Sequence, residues 1–159
     1  MVRVLLICLG LLFIAGCAAV LKPVEVKRFG DISSYKYAFV GQTQILNSSV
    51  GSGYVGYGTS GGYSYSLSKS INPTDIISGI LMKKGFIIVE NITNPTQTLV
   101  VKYGQGGRRD VGFGYTLEVS IQILNAKTQE PVFICTAEGQ GDTEADDIRI
   151  AITRCLEDL

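Results

Sequence analysis

A chain of 159 residues is the size of one ordinary domain and leaves little room for a second. With 46% hydrophobic and 18% charged residues it can fill a core, while a formal net charge of zero supplies no basic excess for nucleic-acid binding. It has no histidine, which excludes Ser-His-Asp and Cys-His nucleophile systems and His-ligated metal sites; it also has no tryptophan, against 19 glycines.

Residues 1–16 read as a targeting segment. Arg3 makes a short basic start, and residues 4–14 form an almost unbroken apolar run, shorter than the roughly 20 residues that span a bilayer. The run ends in Ile14-Ala15-Gly16-Cys17. This tetrapeptide resembles the lipobox of bacterial lipoproteins, in which the peptide is cut before the cysteine and the cysteine is acylated, palmitate being one such chain. The resemblance implies that Cys17 is the first residue of the mature chain and its lipid attachment. Buried methylenes at about 0.8 kcal/mol each would then tether the protein to a membrane without spanning it. Ala18 follows where an aspartate would resemble an inner-membrane retention signal, so the same resemblance implies the outer membrane, periplasmic face. The plain alternatives are a general secretory signal with Cys17 there by coincidence, or a core helix.

With Cys8 lost in the signal and Cys17 lipidated, Cys135 and Cys155 remain. Cys135 lies in the apolar run 131–137 and Cys155 on the apolar face of a terminal helix, so both point to one core. They are either bridged, as an oxidising periplasm favours, or a pair of buried free thiols. No Cys-x-x-Cys marks a redox pair. Residues 17–34 read as the lipidated cysteine and a tether without sustained period, with a reach of roughly 55 Å if fully extended.

The folded domain is expected over 35–159. Residues 35–42 predict a first strand, and 43–71 a Gly/Tyr-rich insertion. Asn72 as N-cap, Pro73 at the first helical position and Asp75 near the positive end of the dipole predict a helix. Its apolar stripe is Ile76, Ile77, Ile80 and Leu81, and Gly85 is its C-terminal stop. Residues 86–90 and 98–103 are compact β-branched runs, and 104–114 a second glycine-rich turn. Tyr115, Leu117, Val119, Ile121 and Ile123 alternate with polar residues in the clearest strand, and 132–138 make the last one. Ile148, Ala151, Ile152, Cys155, Leu156 and Leu159 mark the closing amphipathic helix. The pattern predicts an α+β fold with a mostly antiparallel sheet of about five strands. Two helices pack on one face, in the order β-α-β-β-β-β-α, and the other face is left wet along residues 116–122.

With a lipobox in front, this arrangement resembles small envelope lipoproteins such as the lipopolysaccharide-assembly lipoprotein LptE. It is similar as well to the amino-terminal domain of TolB, the curli secretion lipoprotein CsgG, and uncharacterised lipoproteins whose first helix ends in Lys-Lys-Gly-Phe, here residues 83–86. The topology covers residues 35–159, and residues 14–17 are its one specific motif.

In the insertion, Tyr54, Tyr57, Tyr63 and Tyr65 stand among six glycines between 51 and 62. The segment reads as a solvated loop, as a tyrosine-rich contact surface for protein or glycan, or, by the CsgG resemblance, as a hairpin of an oligomeric barrel. Gly104, Gly106 and Gly107 lack the helix and Gly-Lys-Ser/Thr of a nucleotide loop and read as a hairpin turn. Arg108 and Arg109 at its tip are either solvated or placed to meet a lipid phosphate or a partner carboxylate. Glu138, Asp142, Glu144, Asp146 and Asp147 gather around the last helix start, where the macrodipole favours them and Asp142 or Thr143 serves as N-cap. They lack calcium-loop spacing. Ser66-Leu67-Ser68-Lys69 matches Ser-x-x-Lys without its companion motifs.

These observations lead to the expectation of a non-enzymatic, lipid-anchored periplasmic module that binds an envelope protein or glycolipid through the Gly/Tyr segment or a sheet edge. No cofactor, metal or nucleic acid is expected. The alternatives are a subunit of an oligomeric secretion or surface assembly, and a carboxylate-dependent hydrolase of envelope glycan or lipid.

Overall fold

The computed structural model describes residues 20–43, 46–53, 64–112 and 114–159. Cys17, Tyr54, Tyr57 and Tyr63 therefore lie outside the described residues. In chain order the elements are β1 (Glu25–Arg28), β2 (Tyr37–Val40), β3 (Leu46–Gly53), β4 (Ser64–Ile71), α1 (Pro73–Lys83), β5 (Ile87–Ile88), β6 (Thr98–Asp110), β7 (Tyr115–Asn125), β8 (Pro131–Gly139) and α2 (Glu144–Leu156). Six strands form one sheet in the order β1-β8-β7-β6-β2-β5, and β3 and β4 form a separate two-stranded sheet. Among the described residues no helix is long and apolar enough to cross a membrane.

The α+β class and the two helices are as expected, but the sheet is mixed rather than mostly antiparallel. β2 runs parallel to both β5 and β6, whereas β1–β8, β6–β7 and β7–β8 are antiparallel. Parallel neighbours need a crossover, and α1 supplies it by carrying the chain back between β2 and β5. Apolar alternation reports which face a residue occupies and says nothing of strand direction.

Two further expectations are corrected. Residues 17–34 are not all tether: β1 pairs with β8, Val26 opposite Cys135, and Phe29 donates its N–H to the Val132 carbonyl at 2.8 Å. With one apolar residue among four, β1 has no readable period; its charged neighbours Glu25 and Lys27 suit a sheet edge. Residues 104–114 are not all turn: β6 continues to Asp110, so Arg108 and Arg109 are strand residues. The glycines there form an irregularity of the ladder, with a register shift between Gln105 and Arg108.

The helices are built as their sequences indicate. Asn72 accepts from the Thr74 N–H at 3.1 Å and Pro73 follows at the first helical position. At the other end Gly85 has φ +94°, its N–H bonds the Met82 carbonyl at 3.0 Å, and the Phe86 N–H bonds Leu81 at 3.0 Å. That pair of bonds is a Schellman closure, which needs a left-handed residue that glycine supplies without Cβ strain. For α2 the cap is Thr143, whose hydroxyl accepts from the Asp146 N–H at 3.2 Å.

The core lies between the helices and one face of the sheet. Leu117, Val119, Ile121 and Ile123 of β7 and Phe133, Cys135 and Ala137 of β8 meet Ala145, Ile148, Ala151, Ile152, Cys155 and Leu156 of α2. Ile77 and Leu81 of α1 complete it over Ala38, Val40, Leu99 and Val101. Within this core Cys135 and Cys155 are joined as a disulfide, with Cα atoms 5.6 Å apart and a sequence separation of 20. Closing a loop of that size stabilises by about 3 kcal/mol in the chain-entropy treatment, and it ties β8 to α2.

Candidate functional site

The densest polar arrangement among the described residues sits where β6 and β8 end and α2 begins. Register places Glu118 of β7 directly opposite Glu138 of β8. Like charges facing each other across a ladder repel, so this pair requires cations. Arg109 gives Glu138 a two-pronged pair, Nε to Oε1 at 2.8 Å and Nη2 to Oε2 at 2.6 Å. Lys22 reaches in from the amino-terminal side, with its N–H on Glu138 Oε2 at 3.0 Å and its Nζ 3.4 Å from Glu138 and 3.9 Å from Glu118. Arg154 of α2 bonds the Glu138 carbonyl and, at 2.9 Å, the Lys22 carbonyl. Glu138 is only 3% exposed. The Arg109 hydrogen bonds outweigh burial and hold its carboxyl down, from the ordinary 4.5 to about 2.

Arg108 belongs to a second, separate pair. It lies 2.7 Å from Glu144 in the first turn of α2, with its guanidinium 4.7 Å from the centre of the Tyr115 ring, and Gln105 donates to the same glutamate at 3.2 Å. Successive strand residues point to opposite faces, so Arg108 opposes core-facing Leu117 and meets the helix, while Arg109 turns to the uncovered face. The register shift sets this assignment. One extra residue on β6 between Gln105 and Arg108 exchanges the faces of everything after it. Both arginines read from sequence as hairpin-tip residues are therefore held by carboxylates within the fold.

The acidic cluster divides in the same way. Glu138 is on the uncovered face, Glu144 pairs with Arg108, and Asp142 is exposed. Asp147 is buried, accepts from the Gly141 N–H, and has its pKa raised by burial. Among the described residues no three acidic, cysteine or histidine side chains converge so as to hold a metal ion. The Tyr103 hydroxyl is buried with no hydrogen-bond partner among the described residues, and burial pushes its pKa up to about 12.

A shallow cleft of about 220 Å³ opens beside the cluster, lined by Lys22, Glu25, Glu118, Thr136 and Glu138. In it Glu138 is a fixed acceptor: with its carboxyl held near 2 it carries no proton to donate to a leaving group, as glycoside cleavage requires. Sequence reasoning missed Lys22, Glu118 and Arg154. Their partners lie on other elements, 16 residues away for Arg154 on Glu138 and 116 for the Lys22 N–H, and no local pattern marks them.

The Gly/Tyr segment contributes backbone geometry of a different kind. β3 and β4 pair antiparallel from Leu46↔Ile71 to Gly53↔Ser64, with Tyr65 opposite Ser52, as a ribbon outside the six-stranded sheet. No protein-family model matches the chain, and a search of curated proteins finds no match.

Proposed function

We propose that the chain is a lipid-anchored module of a bacterial envelope that binds another envelope protein or glycolipid without catalysing a reaction. The anchor is Cys17, at the periplasmic face of the outer membrane. The observation that carries the binding reading is the β3–β4 ribbon, an arm of two eight-residue strands standing outside the main sheet and leading to the tyrosines at 54, 57 and 63. Its main-chain ladder is closed within the ribbon, so the six-stranded sheet does not depend on it for strand pairing, and among the described residues only Ile71 at its base is part of the core. The anchor rests on the order of Arg3, the apolar run and Ile14-Ala15-Gly16-Cys17.

The test uses the full chain in a bacterial host. A photo-cross-linking amino acid at Tyr57 is expected to give discrete adducts in intact envelopes. Replacing residues 54–63 by a short turn is expected to abolish adducts formed from a second cross-linker on the ribbon, while the melting temperature stays within a degree or two of the parent. An unchanged adduct pattern after that replacement refutes the arm as the contact. Release of a ring-sized complex into monomers instead selects the assembly-subunit reading. Cys17→Ser is expected to move the protein from the membrane to the soluble fraction.

A further inference from the structure

The amino-terminal segment is fixed to the domain almost from its first described residue. The Val20 carbonyl accepts from Arg109 at 3.2 Å, and Lys22 is held by its N–H, its carbonyl and its Nζ to Glu138 and Arg154. Val24 and Val26 pack against the core, β1 pairs along β8, and Phe29 bonds Val132. Residues 20–29 are thus a strap along the edge of the sheet. Its upstream end lies beside Arg109 and Glu138, at the end of the sheet where β6 and β8 finish, β7 starts, and α2 is capped by Thr143.

Cys17 precedes Val20 by three residues, a reach of about 10 Å even when fully extended. Resting on the lipid-anchor reading above, we infer that this end of the sheet, with Val111, Gly112 and the segment from Gln140 to Thr143, is seated against the lipid surface. The turn between β7 and β8 points away from it. β7 alone is about 35 Å long at strand rise, so the two ends lie at well-separated heights above the bilayer. The seat is not made by charge. Lys22, Arg108 and Arg109 at this end face glutamates, Arg154 bonds the Glu138 and Lys22 carbonyls, and Asp110 and Asp142 add negative charge. Acyl chain and strap hold the orientation, so it is insensitive to the anionic-lipid content and to salt. The ion-pair cluster of the candidate site acquires a role in this arrangement: it shortens the tether to three residues and so sets which surfaces remain open to a partner.

The experiment takes the full lipidated chain, purified from membranes and reconstituted into vesicles of phosphatidylethanolamine and phosphatidylglycerol carrying a headgroup energy acceptor. A clickable amino acid carries the donor dye at Asp142, near the strap, or at Thr128, in the turn between β7 and β8; both positions are exposed. Transfer from position 142 is expected to exceed transfer from 128 several-fold, at low and at high phosphatidylglycerol alike. Inserting a Gly/Ser linker between Ala19 and Val20, which leaves the fold untouched, is expected to bring the ratio close to one. Glu138→Gln, which loosens the strap, is expected to lower it part of the way. Equal transfer from the two positions while the protein floats with the vesicles overturns the orientation. If Cys17→Ser floats as the parent does, or the parent does not float, the anchor fails and the orientation falls with it.

Discussion

At Gly139 the end of β8 passes beneath α2 so closely that a Cβ there would sit 1.8 Å from the Asp147 carbonyl oxygen and 2.8 Å from the Ala151 nitrogen. Backbone cannot yield as a flexible side chain can, so Gly139→Ala must lift the helix from the sheet. Overpacking of this kind costs about 1–3 kcal/mol, and a rigid obstacle belongs at the upper end. A urea-unfolding midpoint equal to the parent's would show that α2 is not seated as described. The neighbouring Glu138 makes stability depend on pH in a defined direction. Its folded pKa is depressed, so its contribution is fully present above the ordinary value near 4.5 and is lost as pH falls towards about 2. Unfolding midpoints measured between pH 7 and pH 2 are expected to fall more steeply for the parent than for Glu138→Gln, which starts lower at pH 7 and loses less. Asp147 has the opposite sign: its raised pKa means that burial favours its neutral form, so it does not add to the acid lability.

Among the elements, β6 shows how much one residue decides. Gly106 and Gly107 fall at the register shift, and a Cβ on Gly106 would lie 2.9 Å from Glu118 Oε1. Inserting one glycine between Gly107 and Arg108, with the one-residue shift kept, moves Arg108 opposite Thr116 and Arg109 opposite Tyr115 and so exchanges their faces, each then opposite surroundings built for the other. Arg108 would still carry a guanidinium towards Glu138, but Val20 and Lys22 are positioned for the present geometry. The expected result is a folded protein whose strap is released. This is measurable as faster amide exchange over residues 20–28, with little change over β7 and α2. Unaltered protection of the strap would mean that register at the shift does not control it. The disulfide acts one level up from such contacts, because it fixes the distance between β8 and α2 irrespective of which polar pairs are made.

Over the whole molecule, three parts differ in what they contribute. The six-stranded sheet with its two helices holds the core, the β3–β4 ribbon stands outside that sheet, and the strap connects the domain to whatever precedes Val20. If the anchor is Cys17, strap and ribbon together limit where a partner can approach: one end of the sheet is occupied by lipid, and the arm extends from the same chain between β2 and α1. Much of this was legible locally. Period-two alternation in residues 115–123, the Asn72-Pro73 start and Gly85 stop of α1, and the three- and four-residue spacing from Ile148 to Leu156 each specify an element, because the face a side chain takes follows from backbone geometry alone. The class of fold and the approach of Cys135 to Cys155 followed from those faces. Strand direction, the edge position of β1, the continuation of β6 through its glycines and the gathering of Lys22, Arg109, Glu118, Glu138 and Arg154 did not. They depend on which segments become neighbours in the fold, from 16 residues apart for Arg154 and Glu138 to 116 for Lys22 and Glu138, and that is settled by crossover connections, ladder register and the need to neutralise two facing glutamates. None of these leaves a periodic trace in the chain.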